Sequence, residues 1–137
     1  MKPTTYKECQ ENNQANNRQP NHSKAKSLKE TAKQRQQFLN QQITAQNANF
    51  IFEGLYSSLI EILHAHLIQK GIIITNHVCI GYYLRDKLNK QRLYRMFDEC
   101  RYKRNSLVYY GNRMPEKTAR ESITTIKQLI QHAYEMQ

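Results

Sequence analysis

The sequence predicts an all-α protein, an up-and-down helical bundle of about five helices behind a disordered polar tail. Three observations carry that expectation. From Ser27 onward the apolar residues recur at three- and four-residue intervals rather than alternating. Gly71, Gly111 and Pro115 fall at the ends of those periodic segments, where helices stop and start. The connections between segments are short, as antiparallel neighbours in a bundle require.

Residues 1–26 are rich in Asn, Gln, Lys and Pro and offer little to bury. Such a segment cannot offset the entropy of ordering, so it reads as a basic, polar, disordered tail whose deletion leaves the thermal midpoint nearly unchanged. Residues 27–137 form the domain. Its first predicted helix runs from Ser27 to about Gln46, with Ser27 and Glu30 as a capping box and Leu28, Ala32, Phe38 or Leu39, and Ile43 on its apolar face. The second, Asn49 to Lys70, carries a wide apolar arc and is the central helix. Gly54 within it implies close helix packing. Ile72-Ile73-Ile74 is too short for a strand and reads as a connector plugged into the core, followed by the cap residues Thr75-Asn76. A third helix spans about His77 to Leu88, a fourth runs from about Arg92 to Gly111, and a fifth extends from Pro115 to the C-terminus.

The net charge is +10 over 137 residues. Arg85 to Arg120 holds eleven Lys or Arg against four Asp or Glu, a local excess of +7. That balance makes a polyanion such as RNA the leading class of partner, against the commoner reading of charged helix faces as merely solvated. Cys9, Cys79 and Cys100 form no CxxC pair and read as reduced thiols. No apolar run approaches the roughly 20 residues of a membrane span, and a cytoplasmic protein with no membrane association is expected. His64 and His66, two apart, point to different sides of a helix, so they read as structural and no metal site is expected.

The fourth predicted helix carries the anomaly. Leu93, Met96, Phe97, Cys100, Leu107 and Val108 form one apolar stripe, and Arg104 falls within about 20° of its centre. A permanently charged guanidinium on a buried face needs carboxylates, carbonyls, a partner subunit or a bound anion. The structural explanation is an ion pair with Glu99, Asp98 or Glu53. The functional one is a phosphate site, supported by the clustering of Arg101, Lys103, Asn105, Tyr109 and Tyr110 around the same helix end. Arg101, Lys103 and Arg104 would hold phosphate, and Tyr110 would stack on a base.

These residues carry a resemblance. The segment Phe50 to Gly71, Asn76-His77, and then Glu99-x-Arg101-x-x-Arg104-Asn105-x-x-Val108-Tyr109-x-Gly111 resemble the HEPN superfamily of small helical domains across Ser27 to the end. Arg104-Asn105 falls on the Arg-Asn of its Arg-Asn-x-x-x-His segment, and Tyr109 stands where nucleolytic members have histidine. The resemblance implies a metal-independent endoribonuclease of toxin or defence type, without cofactor, in which Arg104, Asn105 and Tyr109 are the catalytic positions. A tyrosine titrates normally near 10 and is poorly matched to proton transfer at neutral pH, so activity is expected to be weak or absent while RNA binding survives. The resemblance also implies a homodimer with two Arg motifs brought together. It admits two non-catalytic alternatives: a protein-interaction module partnering a small nucleotidyltransferase, with Tyr109 or Tyr110 as its target, and a purely structural helical dimer.

Overall fold

A computed structural model describes residues 2–137. It is an all-α bundle with one small sheet: α1 (Tyr6–Glu11), β1 (Ala15–Asn17), α2 (His22–Phe38), α3 (Ala48–Gln69), β2 (Ile72–Ile74), α4 (His77–Tyr82) continued by a π-helical turn (Tyr83–Lys87), α5 (Gln91–Tyr110) and α6 (Glu116–Glu135). No helix among the described residues is long and apolar enough to cross a membrane.

The central helix is α3. Phe52, Tyr56, Leu59, Ile62 and Leu67 are fully buried along one broad face, and Gly54, Ser58, Ala65 and Ile68 are buried on the other, so α2, α6, β2 and α5 can all pack around it. Gly54 lets α2 close on it, since a Cβ there would come within 2.6 Å of Leu39 Cδ1. The expected stops hold. Gly71 has φ +75° and Gly111 φ +68°, both left-handed, and the helices end against them.

The boundaries of α2 correct the sequence reading at both ends. It starts six residues before the expected Ser27 cap, because the Asn21 side chain accepts from the Lys24 amide at 2.9 Å. It ends at Phe38 rather than Gln46. There Thr44 and Asn47 exchange hydrogen bonds, Thr44 N–H to Asn47 Oδ1 at 2.7 Å and Asn47 N–H to Thr44 Oγ1 at 3.2 Å, and so prepare the start of α3. Phe38 is left exposed while Leu39 packs on the core.

The larger correction concerns the expected disordered tail: its described residues, 2–26, are ordered on the bundle, and residue 1 lies outside the described residues. The Thr5 hydroxyl accepts from the Glu8 amide to start α1, which buries Tyr6 and Cys9. β1 then pairs antiparallel with β2, Ala15 opposite Ile74 and Asn17 opposite Ile72, so the isoleucine triplet is a strand after all. Cys9 and Cys79 are joined by a disulfide across a separation of 70 residues, which overturns the expectation of three reduced thiols; Cys100 alone is free. Further hydrogen bonds complete the attachment, among them Tyr6 N–H to Asp86, Arg85 to the Thr4 carbonyl, Thr75 N–H to the Gln14 carbonyl, Arg18 N–H to the Gly71 carbonyl and Asn21 N–H to the Ile68 carbonyl. A segment too polar to fold by burial is ordered by a cross-link, strand pairing and backbone bonds.

The tail is therefore not dispensable. Closing a loop of this length is worth about 4 kcal/mol in the chain-entropy account. Reduction, or Cys9→Ser, should lower the thermal midpoint by well over 5 °C, read by circular dichroism, and removing residues 1–21 should lower it further.

Candidate phosphate site

Helix α5 runs past the edge of the core. Phe97 and Cys100 are buried, Leu107 is half-buried and Val108 is 42% exposed, so the apolar stripe frays over its last two turns. Arg104 stands at that border, half-buried, rather than at the middle of a buried stripe.

None of the carboxylates proposed for it reaches it. Asp98 pairs with Arg101 (Nε to Oδ1, 2.9 Å), and Glu99 with Lys103 (Nζ to Oε1, 3.0 Å). Glu53 exerts its field on Arg35, which is itself paired with Glu61. What Arg104 has are weak neutral partners on one nitrogen: Nη1 donates to Asn105 Oδ1 at 3.2 Å and to the Tyr109 hydroxyl at 3.5 Å. Its Nε is buried with no acceptor, alone in that respect among the described side chains. The Nε–Nη2 edge is the fork that Arg35 sets on Glu61 and Arg85 on Asp86. On Arg104 that edge carries no acceptor: Nε is enclosed by the protein, and Nη2 makes no hydrogen bond and is not among the buried atoms, which leaves Nη2 as the donor an anion can reach.

Two rings hold the guanidinium. Its carbon lies 5.4 Å from the Tyr56 ring centroid and 5.5 Å from that of Tyr109. Tyr56 is 1% exposed whereas Tyr109 is 67% exposed, so Tyr109 is an outer cover and Tyr56 a fixed floor. The buried Tyr56 hydroxyl is satisfied by His77 Nδ1 at 2.9 Å. Asn76 places that histidine: its side chain accepts from the Cys79 amide at 2.8 Å and starts α4, with His77 as first residue. Burial first, then the charges of Arg104, His64 and Arg101, hold the His77 imidazole down at about 4, so it is neutral at physiological pH. Burial raises the Tyr56 phenol well above its ordinary value against the opposing pull of Arg104 and Arg101.

Of the residues singled out in the sequence, Arg104, Asn105 and Tyr109 are brought together, and Arg101 is near enough for its charge to act on Tyr56 and His77. Lys103 turns to α6, donating to Ser122 Oγ at 3.2 Å, and Tyr110 stands 76% exposed. Tyr56 was missed, and His77, quoted with Asn76 in the resemblance, was given no role. Tyr56 lies within the central helix with no motif around it, and His77 is 27 residues from Arg104. The available signal was the Thr75-Asn76 cap, which fixes His77 at a helix start. The histidines expected to be structural behave so in the case of His66, buried with Nε2 3.4 Å from the Tyr83 hydroxyl. A cavity of about 800 Å³, lined by Lys70, Lys90, Arg92, Met96 and His132 among others, lies by the opposite end of α5. Comparisons with protein-family models, curated proteins and solved structures found no match to this chain.

The depressed histidines set a pH dependence. The unfolded chain takes up a proton at His77 near its ordinary 6.5, the folded one only near 4, so this contribution to stability is complete above about pH 6.5 and is lost as pH falls toward 4. His64 and His66, also lowered by burial, add in the same direction. Urea midpoints should fall across that window, and His77→Gln should flatten the fall; an unchanged slope in His77→Gln would show that the titration resides elsewhere.

Proposed function

We propose that this protein is a HEPN-like RNA- or phosphate-binding domain, in which Arg104 grips a phosphodiester, and that metal-independent endoribonuclease activity is weak or absent. The observation that carries the reading is the Nε–Nη2 edge of Arg104 without a carboxylate, beside Arg101 and Lys103, which are both paired with carboxylates. A fixed guanidinium with no anion of its own is a standing acceptor site for one. The +7 segment around it supplies the steering field. Tyr109 is then a cover and stacking surface for Arg104 rather than a proton carrier. A cytoplasmic setting belongs to this reading, and there the Cys9–Cys79 bond has to persist against cellular thiols, as disulfides of hyperthermophile proteins do.

One observation favours a partner as well. Tyr102, Val108, Tyr109 and Tyr110 are exposed on the last turns of α5, an apolar surface that a second copy of the chain would cover. A homodimer formed there would bring two Arg104 sites together. The same surface suits the alternatives of a nucleotidyltransferase partner and of a purely structural dimer.

Wild type, Arg104→Ala, Tyr109→Phe and Tyr109→His should be compared in EDTA for binding and cleavage of a mixed single-stranded RNA. Arg104→Ala should weaken binding about ten- to a hundredfold, the worth of a charge-assisted hydrogen bond, and Tyr109→Phe much less. Fast wild-type cleavage abolished by Tyr109→Phe would instead make that tyrosine catalytic. Light scattering at tens of micromolar should give a dimer mass, reduced toward monomer in Tyr109→Lys; monomer throughout would remove the dimer.

A further inference from the structure

Anions are rarely held by one arginine alone, and the surroundings of Arg104 contain a second donor that its motif does not. The Tyr56 ring has Arg104 on its face at 5.4 Å and the His77 ring at 5.6 Å, and its hydroxyl meets His77 Nδ1. Donating to Nδ1 is the role that satisfies the one proton of this buried hydroxyl, which has no other hydrogen-bond partner among the described residues. In that arrangement the proton of the neutral imidazole sits on Nε2. Nε2 makes no hydrogen bond and is not among the buried unpartnered atoms, so it keeps some accessible surface as an unused donor.

We propose that Arg104 and His77 are the two poles of a single oxyanion site for a phosphate group, with Nη2 of Arg104 and the Nε2–H of His77 donating to different oxygens and Tyr56 as the buried strut between them. This rests on the reading of Arg104 as a phosphate site and extends it to a residue on α4. His77 acts here as a neutral donor and not as a base, because the groups around it are cationic or neutral: Arg104 and Arg101 from α5, His64 and Tyr56 from α3. A bound phosphate is the anion this arrangement otherwise lacks. Tyr56 is a positioning residue, since it fixes the tautomer without reaching the ligand.

The test is an NMR titration of the full-length, disulfide-intact chain, labelled with nitrogen-15, with inorganic phosphate at pH 7 and constant ionic strength in chloride. Free protein should show His77 as the Nε2–H tautomer. Phosphate should shift His77 Nε2 and Arg104 Nε along one binding curve, and Arg104→Ala should abolish both responses. The Nδ1–H tautomer, or a response at Arg104 with none at His77, would overturn the two-pole site while leaving Arg104 as a phosphate ligand. No response at either would remove both. Single-stranded RNA provides a second readout, with unfolding midpoints confirming that each variant is folded at the assay temperature. His77→Ala should bind about tenfold more weakly, and His77→Gln, which keeps an N–H donor, should recover part of the loss. Wild-type affinity in both folded variants would also overturn the proposal.

Discussion

Burying a phenol on the central helix of a small bundle is the constraint from which the site follows. Tyr56 is enclosed on α3, and a hydroxyl taken out of water needs a partner or costs several kcal/mol. The partner is His77, delivered by the Asn76 cap at the start of α4 and tethered two residues later by the Cys9–Cys79 bond. The N-terminal segment, α4 and α3 are in this way fixed to one another around a single hydrogen bond. The face of the same ring supports the Arg104 guanidinium, so the position of the cation is set by the core and not by a carboxylate.

Helix α5 adds a contrast between two kinds of cation. Two of its cations are paired within a turn, Arg101 with Asp98 and Lys103 with Glu99, while the exposed Arg92 and Arg95 make no ion pair among the described residues. Surface pairs of that kind contribute little to stability, but they cancel local charge. Arg104, on the same stretch of helix, is given only Asn105 and Tyr109, both neutral, and its Nε and Nη2 have no acceptor. A purely structural arginine is expected to have its fork filled, as Arg35 and Arg85 do here.

The long helices were legible in the sequence because their periodicity and stop signals agree: Asn49 to Lys70 against α3, Arg92 to Gly111 against α5, and Pro115 at the start of α6. Ends governed by side-chain caps were less so, since Asn21 and Ser27 are both adequate caps and only packing chooses between them. The ordered N-terminus was illegible for a stronger reason. Its attachment is made by a disulfide across 70 residues and a three-residue strand pair, neither of which leaves a local pattern. At the site, Arg104, Asn105 and Tyr109 share one helix end and could be found by spacing. Tyr56 and His77 enter through tertiary packing, and nothing in a helical wheel brings α4 to the side of α3 where Tyr56 points.

The account turns on one phosphate contact, and counterion release measures such contacts directly. Each phosphate neutralised by a cation steepens the fall of log affinity with log salt by somewhat under one unit on single strands. Binding of a short single-stranded RNA should therefore be followed from low to moderate salt for wild type and Arg104→Ala. The account predicts a slope shallower by about one contact in the variant together with weaker binding at every salt concentration. Superimposable lines of equal slope and affinity would contradict it.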